Sequence, residues 1–444
     1  MCINKPSERN KNMELFDLKS IMISGTDRSI CLKLSCTNED RLFFNGFQSW
    51  STSVELSPSD IDKGASAFIR TIGKPWGTQH YGDGYFMDYS DKPGIFHGFS
   101  YFYKRSGDEF LLIGSVDETN GYTIFNYDAG VGELSIVKDA GFGRNAPDKS
   151  LHLFSATGTE TEVFDAWFSE MGVSALAKPI AGYSSWYNHY ENINDASITE
   201  DLDGATRVLK PGDLFQIDDG WEAAVGDWTE DAAKFPRGMK ASVSDIHERG
   251  YLAGLWLAPF VACSRSKLWK EHRDWFLLHN GKPWYCGCNW GGFFSLDMDK
   301  PEVQDYLKAT FDKVLNDWGF DLVKLDFLYG AAPWMTRGGS YDGESRGARM
   351  CRAMDMLRGW CGDKLILGCG VPLWPAFGKV DYCRIGCDAG LDWENTWLMR
   401  QVNREVVSTK NSIGNSYYRR ELSGRAFLND PDVFFLRDDN IKLT

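Results

Sequence analysis

Two aspartates stand where a carboxyl could do chemistry. Asp326 lies in "DLVKLDFLYG" (residues 321–330), two positions after Lys324 in an otherwise apolar run, and Asp388 closes "YCRIGCD", four positions after Arg384. Both runs are rich in β-branched and aromatic residues and read as short strands with an acid at the carboxyl end. Side chains alternate along a strand, so Lys324 and Asp326 share one face and Val323, Leu325 and Phe327 take the other. By itself such a pair is equally a structural ion pair, since those also perturb pKa values. Other strand ends break the tie. "FQIDDGW" ends on Asp218 and Asp219, "GLWLAPF" sets Trp256 beside Ala258, and Arg384, Gly386 and Asp388 align, while Phe215, Ile217, Leu255, Leu257 and Ile385 remain for packing.

Carboxyls on two strand ends suit glycosidic cleavage, in which one attacks the anomeric carbon and the other protonates the leaving oxygen. Lys324 is expected to hold Asp326 ionised as the nucleophile, an opposite charge lowering a carboxyl pKa. The charge on Asp326 would favour a proton on Asp388, and its loss in the glycosyl-enzyme would free Asp388 to activate water. Retention of configuration asks for carboxyls about 5–5.5 Å apart. A cation beside Asp388 would oppose that proton, so Arg384 is expected to point toward substrate hydroxyls or a different acid.

Competing chemistries are poorly supported. Asp218 and Asp219 could form a metal pair, yet no His or third acid follows at ligand spacing. "CGC" at Cys286–Cys288 has no second cluster to complete a tetrahedral site. The seven histidines pair with no Ser or Cys, and GxSxG is absent. Neither a metal nor a cofactor is expected.

The elements that would carry these residues divide the 444-residue chain. Residues 1–160 alternate in short segments between Gly, Asp and Asn turns, as expected of an antiparallel β-sandwich domain. "TETEVFDAWFSEMG" has helical spacing at Val163, Phe164, Trp167 and Phe168, so residues 161–179 read as a connecting helix and linker. From 180 to 444, strand and helix patterns alternate about eight times, the signature of an α/β fold of (β/α)8 TIM-barrel type. The eighth strand candidate is "VFFLRD". Few residues follow it, so the final barrel helix is expected to be missing and the barrel truncated.

Composition narrows the partners. With 43% hydrophobic and 25% charged residues the chain is that of a soluble globular protein, and no apolar run could span a bilayer. No secretory signal is evident at the start, which makes a cytoplasmic location the expectation. A net charge of −14 disfavours nucleic acid, and the eleven scattered cysteines read as reduced thiols. Seventeen Trp and eighteen Tyr suit either a large core or a sugar site where C–H faces stack on rings. The oligomeric state is not legible.

Several ordered motifs carry a resemblance: "NGFQSW" (45–50), "GYSSWYNHY" (182–190), "FQIDDGW", "GLWLAPF", "KLDFLYG", "LGCGVPLWPAFG", "DYCRIGCD" and "FLNDPD". From about Phe43 to Arg437 the chain resembles glycoside hydrolase family 36, the microbial α-galactosidases or melibiases. The resemblance implies a retaining, exo-acting enzyme that removes terminal α-linked galactose from melibiose- or raffinose-like oligosaccharides or glycoconjugates through a covalent glycosyl-aspartate. It places the nucleophile at Asp326 and the acid/base at Asp388, with Asp218 and Asp219 gripping sugar hydroxyls. Lys324, Trp186, Tyr187, Trp256, Cys369 and Arg384 fall at pocket-lining positions, and Trp50 resembles a tryptophan reached over the pocket by the amino-terminal domain. The family's carboxyl-terminal β-domain is expected to be missing. Release of α-N-acetylgalactosamine, galactosyl transfer, or an inactive sugar-binding barrel are the alternatives. The "NDPD" at 429–432 reads as a turn with a polar network, without a catalytic role.

Overall fold

The structure is a computed structural model that describes residues 23–25, 29–139, 150–175, 177–334, 344–402, 404–405 and 407–434. Toward the amino terminus, a pair of antiparallel sheets face each other. One has six strands, in the order Ile23–Gly25, Leu151–Gly158, Glu109–Ser115, Tyr101–Ser106, Arg41–Phe44 and Glu55–Leu56; the other has four, Ser29–Lys33, Glu133–Asp139, Tyr122–Asp128 and Ile95–Phe99. The strand Glu133–Asp139 buries every second residue, as a half-buried strand should. Phe44, Phe102, Ile113 and Leu153 from the larger sheet meet Leu32, Phe96, Phe125 and Ile136 from the smaller in one core.

The helix Glu160–Met171 leads away from these sheets. Thr159 and Glu162 form a reciprocal capping box at its start, and Gly172 at φ 64° ends it in the left-handed conformation. Val163, Phe164, Trp167 and Phe168 are its buried face, as the spacing predicts.

Seven parallel strands then form a curled sheet in the order Gly182–Ser184, Leu214–Ile217, Leu252–Leu257, Leu322–Leu325, Leu365–Gly368, Tyr382–Arg384 and Leu428–Asp430. Helices Met239–Glu248, Pro301–Asp312 and Arg346–Cys361 cover it where the spacing is helical, and Asp195–Ala205, set by an Asn194/Ser197 capping box, is a further one. Seven of the eight expected strands are present among the described residues, with no ladder there joining the last to the first. Of the eighth candidate, Val433 and Phe434 belong to no strand, and 435–438 lie outside the described residues, as does the amino-terminal stretch 1–22.

Register sets which side chains reach the same end of the sheet. Trp256 pairs with Lys324 and Lys324 with Leu367, while Arg384 pairs with Asp430, so the polar residues arrive at one rim. Between the third and fourth parallel strands the chain makes an antiparallel excursion of three short strands, Val261–Cys263, Tyr285–Gly287 and Phe293–Ser295, which carries Asn289 and Trp290 to that rim.

Candidate active site

At the carboxyl rim a cavity of 210 Å³ is lined by Trp50, Trp186, Asp218, Asp219, Trp256, Lys324, Asp326 and Asp388 among others. The cavity leaves room for a small polar ligand beside these carboxyls. Sequence reading anticipates all eight of those residues. Tyr187, Cys369 and Arg384, also expected to line the pocket, are corrected to a supporting layer behind it, where each holds a residue of the site or its rim.

Asp326 is buried, and its backbone N–H donates to Leu257 O at 2.8 Å, which docks it on the neighbouring strand. Trp256 Nε1 donates to its Oδ2 at 3.1 Å and the Phe327 N–H to its Oδ1 at 2.8 Å. The expectation that Lys324 holds its carboxyl low is corrected: burial raises the Asp326 carboxyl, and Lys324 only opposes that rise. Lys324 instead bonds Asp218 Oδ2 directly, at 2.8 Å. The face assigned to Phe327 is also corrected. It sits at φ 53°, which breaks strand alternation and turns its ring into the cavity against Trp50 and Trp290.

Asp218 is tied from all sides. Besides Lys324, Gln216 Nε2 donates to its Oδ2 at 2.6 Å and Ser184 Oγ at 3.2 Å, while the Asp219 N–H reaches its Oδ1 at 2.9 Å. Asp219 keeps one oxygen on Trp290 Nε1, at 2.9 Å. Its carboxyl is pushed well above the ordinary range by burial and by the buried carboxyl of Glu222.

Arg384 does not avoid Asp388. Its Nη2 donates to Asp388 Oδ1 at 3.1 Å, so the expectation that it points elsewhere is corrected in part, although it also meets a different acid, Asp432, at 3.3 Å. Asp432 in turn accepts from the Tyr187 hydroxyl and, at 2.7 Å, from the Ala389 N–H. Burial raises the Asp432 carboxyl to about 6 against the pull of Arg384. The turn at 429–432 thus braces the loop that carries Asp388.

Trp50 arrives from the amino-terminal sheets. Its Nε1 donates to Cys369 Sγ at 3.2 Å, and the Cys369 thiol in turn meets Asp326, so an indole and a thiol link those sheets to the buried acid. Gly370, at φ 59°, must lack a side chain because a Cβ there would lie 2.9 Å from the Trp50 ring. The Ser49 N–H donates to Val371 O at 2.8 Å, and Arg419 holds Ser49 O at 2.8 Å and Ile385 O at 3.1 Å together.

Sequence reasoning missed Tyr81, Asn289, Trp290, Phe327 and Glu405 on the cavity wall and Glu222 and Asp432 behind it. Trp290 lies in the stretch "HNGKPWYCGCNWGGFF", where nothing in the spacing distinguishes that ring from its neighbours. Cys286 is buried against Ser295 Oγ, and no group of three His, Cys, Asp or Glu among the described residues is placed to hold a metal ion. Among the same residues no helix is long and apolar enough to cross a membrane.

A parallel curled sheet thus gathers carboxyls at its carboxyl rim within a wall of indoles. Known proteins share this arrangement in part. The Melibiase family model matches residues 174–334, a span that holds Asp218, Asp219, Trp256, Lys324 and Asp326 and stops short of Asp388. "Alpha-galactosidase Mel36A" of Lactobacillus acidophilus is 29% identical over 152 residues, 32% of this chain and 20% of that protein. "Alpha-galactosidase 1" of Pediococcus pentosaceus is 27% identical over 150 residues, with the same shares, so these matches span about a fifth of the curated relatives. Among solved structures, the α-galactosidase TtGalA of Thermus thermophilus in complex with p-nitrophenyl α-D-galactopyranoside superposes with a TM-score of 0.80 at 27% identity, over 98% of this chain and 83% of that one. The α-galactosidase AgaA of Geobacillus stearothermophilus shares the fold, with a TM-score of 0.57 at 16% identity over 82% of this chain and 52% of that one. The chain is thus similar to the Melibiase family over about a third of its length and, in its overall fold, to solved α-galactosidases.

Proposed function

We propose that the protein is a retaining, exo-acting α-galactosidase that removes terminal α-linked galactose from oligosaccharides or glycoconjugates by double displacement. The observation that carries this reading is the meeting of Asp326 and Asp388 on the wall of one cavity, beside Asp218, Asp219 and Trp256. An Asp326 oxygen attacks the anomeric carbon while the leaving oxygen takes a proton from Asp388; Asp388 then takes a proton from water, which displaces the aspartate. Trp256 and the Phe327 N–H aim the two Asp326 oxygens, and Arg384 occupies Asp388 Oδ1, leaving Oδ2 for the proton. Asp218 and Asp219 meet the sugar hydroxyls, where buried carboxyls discriminate strongly between epimers because a wrong partner leaves them unpaired. In this reading residues 1–160 form a β-sandwich domain that delivers Trp50, residues 161–179 connect, and the (β/α)8 catalytic barrel follows from 180, all in the cytoplasm.

The test is turnover of an aryl α-galactoside and an aryl α-N-acetylgalactosaminide by the wild type and by Asp326→Ala. Hydrolysis of the galactoside should fall by several orders of magnitude in the variant and be partly restored by azide or formate, which replace a missing nucleophile. Wild-type preference for the acetamido substrate would redirect the reading to that sugar, and unchanged activity in Asp326→Ala would reject it.

A further inference from the structure

We propose that Asp201 is a positioning residue for the sugar cavity: it anchors the short helix Trp186–His189 and so holds the Trp186 ring on the cavity wall. The inference rests on the reading of the cavity as a sugar pocket. It adds a residue from outside the wall, since Asp201 belongs to the helix Asp195–Ala205 and does not line the cavity.

A helix of four residues does not hold itself, because its first hydrogen-bonded turn costs more conformational freedom than the bond returns. This one follows the strand Gly182–Ser184 and has no side-chain cap at its start. At its far end Tyr190 adopts φ 51°, ψ −138°, a conformation that a bulky residue keeps only where its surroundings impose it. Contacts from outside must therefore fix the helix, and its side chains divide the work. Trp186 lines the cavity and meets the Tyr190 ring edge-on, with centroids 5.3 Å apart. The Tyr187 hydroxyl donates to Asp432 behind the wall. Asn188 and His189 both reach Asp201.

Asp201 collects three donors. Asn188 Nδ2 reaches its Oδ1 at 3.0 Å, and His189 Nε2 and the Tyr183 hydroxyl each reach its Oδ2 at 2.6 Å. Hydrogen bonds to a carboxylate are roughly twice as strong as neutral ones, and with the side chain only 10% exposed these are largely shielded from water. The donors come from the strand before the helix and from its last two residues, so one acid ties both together. Asp201 itself stands on a firm element. Its helix opens with the Asn194/Ser197 capping box and buries Ile198, Leu202 and Ala205. The near end of the short helix is fixed separately, by Ser185 Oγ, which accepts from the Asp218 N–H at 2.9 Å. Without Asp201 the far end loses its bonds while the near end stays, so the strained turn at Tyr190 relaxes and the Trp186 ring turns off the wall.

The experiment is a double-mutant cycle of Asp201→Ala and Trp186→Phe, read by KM and kcat for an aryl α-galactoside and by acrylamide quenching of tryptophan fluorescence in the ligand-free proteins. Asp201→Ala should raise KM about tenfold and lower kcat by less. Added to Trp186→Phe, it should leave KM where that variant already has it, because two substitutions that act through one ring do not add. Without ligand, Asp201→Ala should increase quenching in the wild-type background and leave it unchanged in Trp186→Phe. An unchanged KM, a KM rise that multiplies with that of Trp186→Phe, or equal changes in quenching in both backgrounds would overturn the inference. Loss of kcat alone, the mark of a smaller folded fraction, would do the same. Should Asp201→Ala fail to fold, Asp201→Asn takes its place in the cycle: it keeps the volume and gives up one acceptor, so the same shifts support the anchor and their absence refutes it. A wild type that does not hydrolyse the galactoside speaks against the proposed function alone, since the quenching comparison still tests the anchor.

Discussion

At the seam where the amino-terminal sheets meet the barrel, Arg346 clasps Asp139 through Nε at 2.9 Å and Nη2 at 2.6 Å, with its guanidinium 4.0 Å over the Phe86 ring. Arg419, fully buried, gives hydrogen bonds to Asn45 Oδ1, Ser49 O, Gln48 O and Ile385 O. In the rim cavity, four aspartates line the wall together with Lys324. At the seam Arg346 meets an acid and Arg419 meets neutral acceptors, whereas the cavity acids outnumber their cations. The seam uses buried polarity to fix where the sheets sit on the barrel. In the cavity, buried acids short of cations keep protonation states that a substrate can change.

Isosteric loss of a cavity charge should separate activity from stability. Asp326→Asn keeps the shape of the site and removes an acid whose charge burial disfavours, so kcat should fall by several orders of magnitude while the melting temperature holds or rises. Steady-state kinetics beside thermal melts would check it, and a large drop in melting temperature would erase the contrast with the seam.

The reverse should hold for Arg419→Met. It strands three backbone carbonyls and Asn45, each costing about 1–3 kcal/mol, so stability should fall by about 3 kcal/mol or more in urea titrations. The Trp50 loop loosens with it, and KM should rise as well.

Near the seam, Glu118 is an exception that sharpens the rule. It is buried, accepts from the Thr123 N–H at 3.0 Å and Ser100 Oγ at 3.1 Å, and burial raises its carboxyl to about 7 from an ordinary 4.5. An acid raised on folding binds a proton that the unfolded chain releases, so its contribution is full below pH 4.5 and declines as pH rises toward 7. Glu118→Gln should remove that decline, on the order of 1–3 kcal/mol, from urea midpoints compared at either end of the window.

Trp50→Phe should have the smallest effect. The ring contacts with Phe327 and Tyr329 survive, but the donation to Cys369 is lost, worth about 0.5–1.5 kcal/mol. A several-fold rise in KM with little change in melting temperature is expected.

What the sequence disclosed follows the same division. Seven strand ends and the residues on them were legible because strand alternation and the barrel's rim place side chains by spacing alone. Phe327 was misplaced because one left-handed residue cancels the alternation that spacing assumes. Trp290 was hidden in an excursion of three-residue strands, too short to leave a period. Arg384 was expected to avoid Asp388 because a cation opposes the acid's proton, and only tertiary contact shows it between Asp388 and Asp432. Glu222 follows a recognised motif, yet its place behind Asp219 depends on the turn at Gly220. The seam was illegible throughout, since Arg346 and Asp139 are 207 positions apart.

The most direct test of the account is covalent. The protein is incubated with 2-deoxy-2-fluorogalactosyl fluoride, quenched, digested and mapped by mass spectrometry. A fluorogalactosyl adduct on Asp326 is predicted, because slow hydrolysis of the fluorosugar ester lets the intermediate accumulate. Turnover of α-galactosides with no adduct, or with the adduct on another carboxyl, would contradict the assignment of Asp326 as the nucleophile opposite Asp388.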